Sequence, residues 1–102
     1  MAKGLYFTVI VKTENGTRRF PLQGRQAWTM LQLVRAGEKG CTPIERPAPR
    51  WSDYVFQLRG LGVNIRTIRE KHTGTFPGEH GRYVLLDDVE LVGGNLADWK
   101  AA

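Results

Sequence analysis

Residues 50–65 read R-W-S-D-Y-V-F-Q-L-R-G-L-G-V-N-I, and their spacing decides how the rest of the chain is read. Trp51, Tyr54, Val55, Leu58 and Leu61 recur at intervals of three and four, the period of one face of an α-helix. A helix opening at Arg50 buries that stripe and turns Ser52, Asp53, Phe56, Gln57 and Arg59 outward. Gly62 ends it, because a residue without Cβ readily takes the left-handed conformation that closes helices. Beyond it, Val63–Glu70 (VNIRTIRE) and Gly81–Leu86 (GRYVLL) have strand character. Lys71–His80 (KHTGTFPGEH), rich in Gly and Pro, joins them into a hairpin.

Upstream, Gly24–Gly37 (GRQAWTMLQLVRAG) is a second amphipathic helix. Ala27, Leu31 and Val34 lie on its inner side, flanked by Trp28 and Met30, while Arg25, Gln32 and Arg35 turn away. Thr42-Pro43-Ile44-Glu45 has Thr at the N-cap, Pro at the first helical position and Glu at the third, which starts a short helix. Pro47 and Pro49 remove backbone donors and stop it after about one turn. At the N-terminus, Leu5–Thr13 and Thr17–Leu22 are β-branched and aromatic, and Asn15-Gly16 between them predicts a type I′ hairpin. Val89–Val92 offers a further strand. Past Gly93-Gly94 the tail is expected to be mobile, the alternative being a short helix capped by Asn95 that docks Leu96 and Trp99.

At 102 residues the chain is one α+β domain. Residues 1–23 form an N-terminal hairpin, 24–62 a helical core and 63–92 a second hairpin, with 93–102 as tail. The order resembles the winged helix-turn-helix layout, three helices followed by a β-hairpin wing, here with an added N-terminal β-hairpin. Residues 50–65 are similar to the recognition helix and first wing strand of small helix-turn-helix domains common in phage and prophage proteins. In that family an Arg opens the helix, an aliphatic-x-x-Leu-Arg group closes it, a Gly ends it and an Ile starts the wing. Those positions here are Arg50, Val55, Leu58, Arg59, Gly62 and Ile65. The L-V-R-A-G at 33–37 and T-P-I-E at 42–45 match in kind, so the resemblance covers about Ala27 to Leu86. Tyr54 stands where the family would have Arg, and the hairpin of Leu5–Leu22 lies outside the resemblance.

The resemblance implies double-stranded DNA as partner, and the charge agrees with it. Fifteen Lys and Arg against ten Asp and Glu leave +5, with a pI near 9.8. Residues 87–102 hold four acidic residues and one Lys, so the preceding part carries +8. Arg50, Ser52, Asp53, Phe56, Gln57 and Arg59 are placed to meet a groove, Arg pairing with guanine, Gln with adenine and Phe56 with a thymine methyl. In the wing, Arg66, Arg69, Lys71, His72, His80 and Arg82 suit phosphates or a minor groove. The expected role is a transcriptional regulator or a mobile-element accessory factor. A rival reading makes the scaffold a docking module for a protein partner, and the first hairpin offers an edge for a homodimer.

No catalytic group emerges. Cys41, His72 and His80 have no ligand spacing for zinc, Asp87 and Asp88 point to opposite faces of a strand, and no glycine-rich phosphate loop is present, so no metal or cofactor is expected. No apolar run reaches the roughly 20 residues of a membrane span. With a single Cys and no cleavage signal after Leu5–Thr13, the chain reads as cytoplasmic, with no membrane partner.

Overall fold

The computed structural model describes residues 4–46, 50–73 and 78–99; the side chains of His72, Asp98 and Trp99 lie outside that description. The expected positions of Pro47 and Pro49, and the tip of the wing at 74–77, also fall outside it. Strands β1 (Tyr6–Thr13) and β2 (Gly16–Gln23) lead into helix α1 (Gly24–Ala36) and a 3₁₀ turn at Gly37–Lys39. Helix α2 (Trp51–Gly60) follows, then β3 (Ile65–His72), β4 (Gly78–Leu85), β5 (Asp88–Val92) and a four-residue helix α3 (Leu96–Trp99). The sheets are a three-stranded antiparallel one in the order β2-β1-β5, and the β3-β4 hairpin.

Strand alternation builds the first sheet. Phe7, Val9 and Val11 of β1 point inward and are 2%, 0% and 1% exposed, beside Leu22 and the half-buried Phe20 of β2. The turn sits one residue earlier than the Asn-Gly signal predicts. Thr13 pairs with Gly16, so Glu14 and Asn15 form the two-residue loop, and neither takes the positive φ of a type I′ turn. The strand at 88–92 belongs to this sheet and not to the wing. It pairs with β1 in the register Val9↔Leu91 and Val11↔Val89, which lays both side chains beside the buried face.

Two further expectations need refinement. Asn95 immediately precedes α3, and its side chain reaches back to the N-terminal chain. Its Oδ1 accepts the Tyr6 N–H at 2.9 Å, and its Nδ2 donates to the Gly4 carbonyl at 2.9 Å. Gly93–Leu96 is therefore anchored on β1, with Leu96 buried, and a Cβ at Gly94 would collide with the Tyr6 carbonyl. Among the described residues the short second helix stands as a single turn at Thr42–Arg46, so the three-helix core is not seen in full. The Thr42 hydroxyl does accept the Glu45 N–H at 3.0 Å, and Arg46 N–H reaches the Thr42 carbonyl at 3.0 Å. The described segment Thr42–Arg46 makes one hydrogen-bonded turn, and Pro47 after it has no N–H to donate.

The α1 stripe buries Ala27, Met30, Leu31 and Leu33. Gln32 is buried too, against the expectation that it faces water. Its Oε1 accepts from the Arg46 guanidinium at 2.6 Å, and its carbonyl accepts the Cys41 thiol at 3.2 Å. Cys41 is itself buried, and loss of solvent pushes its thiol above the ordinary range. In α2, Trp51, Val55 and Leu58 are buried. The helix ends in a Schellman arrangement, with Val63 N–H to the Leu58 carbonyl at 3.2 Å, Gly62 N–H to Arg59 at 3.0 Å, and Gly62 at φ +92°.

The core closes on Trp51. Its ring stacks on Tyr83 of β4, centroids 5.7 Å apart with planes at 8°, and meets the edge of Trp28 of α1 at 5.6 Å. Its indole N–H donates to the Arg46 carbonyl at 2.7 Å. Trp51→Ala should cost about 3–5 kcal/mol and lower Tm by roughly 12 °C or more, read by thermal melting. Trp51→Phe, which keeps a ring but loses the N–H, should cost less. An unshifted melt for Trp51→Ala would mean that the three rings are not the centre of the core.

Candidate nucleic-acid interface

Successive residues of α2 are rotated by about 100°, and its neighbours show which direction is which. Trp51, Val55 and Leu58 define the buried side. Gln57 marks the flank toward α1, since its Oε1 accepts from Gln26 Nε2 at 2.6 Å. Arg59 marks the opposite flank, toward β3. Its Nε and Nη2 donate to the Ile65 carbonyl at 3.2 and 2.6 Å, and Nη2 also reaches the Thr67 hydroxyl at 2.8 Å. Between these flanks Ser52, Asp53 and Phe56 face solvent, and Phe56 is 73% exposed. Arg50 is exposed at the N-cap, with left-handed φ 65° and ψ 34°.

The wing has two unlike faces. Thr67, Arg69 and Lys71 share one face of β3, and Thr67 there receives Arg59. Arg69 and Lys71 are exposed, and Lys71 extends about 13 Å beyond Thr67 at the usual strand rise. Glu79 stands across from Lys71 on the same face. The other face carries Arg66, Ile68 and Glu70 with His80 and Arg82 of β4. There Glu70 accepts Arg82 Nε at 2.6 Å and lies 3.2 Å from His80 Nε2. Arg82 Nη1 also donates to the Lys39 carbonyl and to Glu45, both at 3.0 Å.

These contacts sort the residues expected at the interface. Arg50, Ser52, Asp53 and Phe56 stand on or beside the outward strip of α2, with Arg69 and Lys71 on the adjoining wing face. Arg66 is exposed but on the reverse face of the strand. Arg82 and His80, expected at phosphates, join Glu70 in a network that ties the wing to the turn at Lys39 and Glu45. Arg59 staples the end of α2 to β3 instead of reaching outward. Gln57, expected at adenine, is half-buried with both ends of its amide engaged, the second by Asp53 Oδ2 at 3.1 Å. The side chain of His72 lies outside the described residues.

Several pins were not visible as such in the sequence. Cys41 exchanges two backbone hydrogen bonds with Tyr83, at 2.9 and 2.8 Å, and so acts as a one-residue third strand beside β4. Asp87, just ahead of β5, accepts from the Asn64 backbone and side-chain amides at 2.8 and 3.0 Å and closes the base of the wing. Arg18 of β2 lies over the Phe20 ring at 5.9 Å, its guanidinium against Gly62. Among the described residues no group of three or more His, Cys, Asp or Glu side chains could hold a metal ion, and no helix is long and apolar enough to cross a membrane.

A helix with a free outward strip, flanked by a basic β-hairpin and braced by a second helix, defines a winged helix-turn-helix type of domain. The family described as winged helix domain matches residues 19–95, and the chain belongs to it. The match takes in the second half of β2 and all of β5, which extends it well past the Ala27–Leu86 span of the sequence resemblance. No curated protein and no solved structure matches the chain.

The Glu70 carboxyl is held below its ordinary 4.5, first by the hydrogen bond from Arg82. A carboxyl lowered on folding stabilises the fold above its unfolded value, and that contribution fades as pH falls through the folded one. Tm should therefore drop on acidification past 4.5. Glu70→Gln should lower Tm near neutral pH and make that acid limb shallower. A variant whose Tm tracks wild type at every pH would remove Glu70 from the wing's anchorage.

Proposed function

We propose that this chain binds double-stranded DNA, with α2 in the major groove and the Arg69–Lys71 face of the wing along the adjoining backbone, as a regulator or accessory factor acting at DNA. One observation carries the reading. The strip bearing Ser52, Asp53 and the 73% exposed Phe56 is left uncovered while both of its flanks are pinned, one by Gln26 and the other by Arg59. An α-helix has the width of the major groove, and residues in its first turns are best placed to reach base edges. A large apolar ring at that exposure fits contact with a thymine methyl. The chain's +5 supplies attraction for any duplex.

Three cations border this surface, Arg50, Arg69 and Lys71. A plot of log binding constant against log salt should fall with a slope of about −3, measured by fluorescence anisotropy on a labelled duplex. Arg69→Ala and Lys71→Ala should each flatten the slope by about 1, and Arg66→Ala, on the reverse face, should leave it unchanged. Phe56→Ala should weaken binding without altering the slope. Failure to retain the wild-type chain on a duplex column at low salt would reject DNA as the ligand and favour a protein partner on the Phe56 strip.

A further inference from the structure

Asp53 is an anion on the surface that would face a polyanion, and nothing in the charge argument accounts for it. As a first-turn acid it favours the helix dipole, but any acid in that turn would do so, and this one is held in place. Gln26 Nε2 of α1 donates to Gln57 Oε1 at 2.6 Å, and Gln57 Nε2 donates to Asp53 Oδ2 at 3.1 Å. This two-step chain runs from the partly buried side of α1 out to an exposed carboxylate. It engages one oxygen of Asp53 and leaves Oδ1 with no hydrogen bond or ion pair among the described residues.

We infer that Asp53 reads a cytosine in the major groove, and that Gln57 and Gln26 are positioning residues that aim its free oxygen; this rests on the DNA-binding reading above. The choice of base follows from the groove chemistry. Cytosine presents an N4 amino donor there, whereas guanine presents only acceptors and thymine an acceptor with a methyl. A fixed carboxylate rewards the first and repels the second and third. Adenine offers its N6 donor beside an N7 acceptor, and that acceptor lies next to the carboxylate and is repelled by it, a cost that cytosine does not carry. The relay thus selects cytosine by attraction and rejects the acceptor-bearing bases by repulsion. It also gives Gln57 a role other than direct base contact.

The test is selection from a random duplex library at low salt, using the full chain, followed by titration of single-base variants of the selected site. Wild type should enrich a site with cytosine at one position and lose about 10- to 100-fold in affinity when that base alone is changed. Asp53→Ala should abolish the preference at that position while other positions keep theirs. Gln57→Ala and Gln26→Ala should each weaken the preference at the same position and nowhere else. A role confined to helix stability would lower Tm and leave base preference unmoved. The inference is overturned if Asp53→Ala leaves the selected site intact, or if the two Gln variants alter a different position. A wild-type chain that binds duplex without selecting cytosine anywhere would also overturn it, while leaving duplex binding itself standing. Absence of duplex binding by wild type would instead reject the reading beneath it.

Discussion

Trp51 is the residue on which three independently formed elements converge. It is the first residue of α2, it stacks on Tyr83 of the wing, and it meets Trp28 of α1 edge-on, with its one polar atom satisfied by the Arg46 carbonyl. An aromatic of this size gains from burial and from ring geometry together. Because the ring lies at the start of the helix, fixing it also fixes the rotation of α2 about its axis. With Trp51 inward, Ser52 and Phe56 must point out, roughly 100° and 140° around the helix. The exposure of the candidate surface is thus a consequence of core packing.

Polar side chains then set how the wing and the helices lie. Arg59 and Arg82 carry several donors in a planar fork and are used here on backbone carbonyls and paired acids. Asp87 and Asn95 do the complementary work, accepting and donating to backbone amides and carbonyls at the root of the wing and at β1. Among the described residues no buried side-chain nitrogen or oxygen is left without a partner. Part of the positive charge is therefore spent inside the domain. The cations left along the α2 strip are fewer than the sequence total suggests: Arg50 at the start of α2, and Arg69 and Lys71 on one face of the wing.

What could be read from sequence follows the range of the interactions involved. The α2 stripe, the exposure of Ser52, Asp53 and Phe56 and the end of α2 at Gly62 are encoded within a few residues, and these emerged from spacing. The loop Glu14-Asn15 was displaced by one residue because the register of β1 is set by which of its side chains are buried, a tertiary matter. Gln32 looked like a surface residue because its partner, Arg46, lies fourteen positions away. Arg82 and His80 announced their charge but not Glu70 and Glu45, which claim it. The destination of β5 was also hidden, since Val89 and Leu91 would suit the inner side of either hairpin.

The family match begins at Arg19, inside β2, and leaves out β1, yet the physical unit cannot. β1 is the central strand of its sheet, paired with β2 along one edge and β5 along the other. Without it both neighbours would expose unpaired backbone groups and nothing would hold them together. Phe7, Val9 and Val11 would leave the core, each worth roughly 1.5–3 kcal/mol of burial, and Asn95 would lose both of its partners on the N-terminal chain. Arg18, just before the matched span, reaches the Gly62 turn at the end of α2. The added sheet is thereby in contact with the helix that carries the candidate surface. The sheet is therefore part of the structure that positions α2, and the smallest chain expected to fold runs from about Gly4 through Leu96.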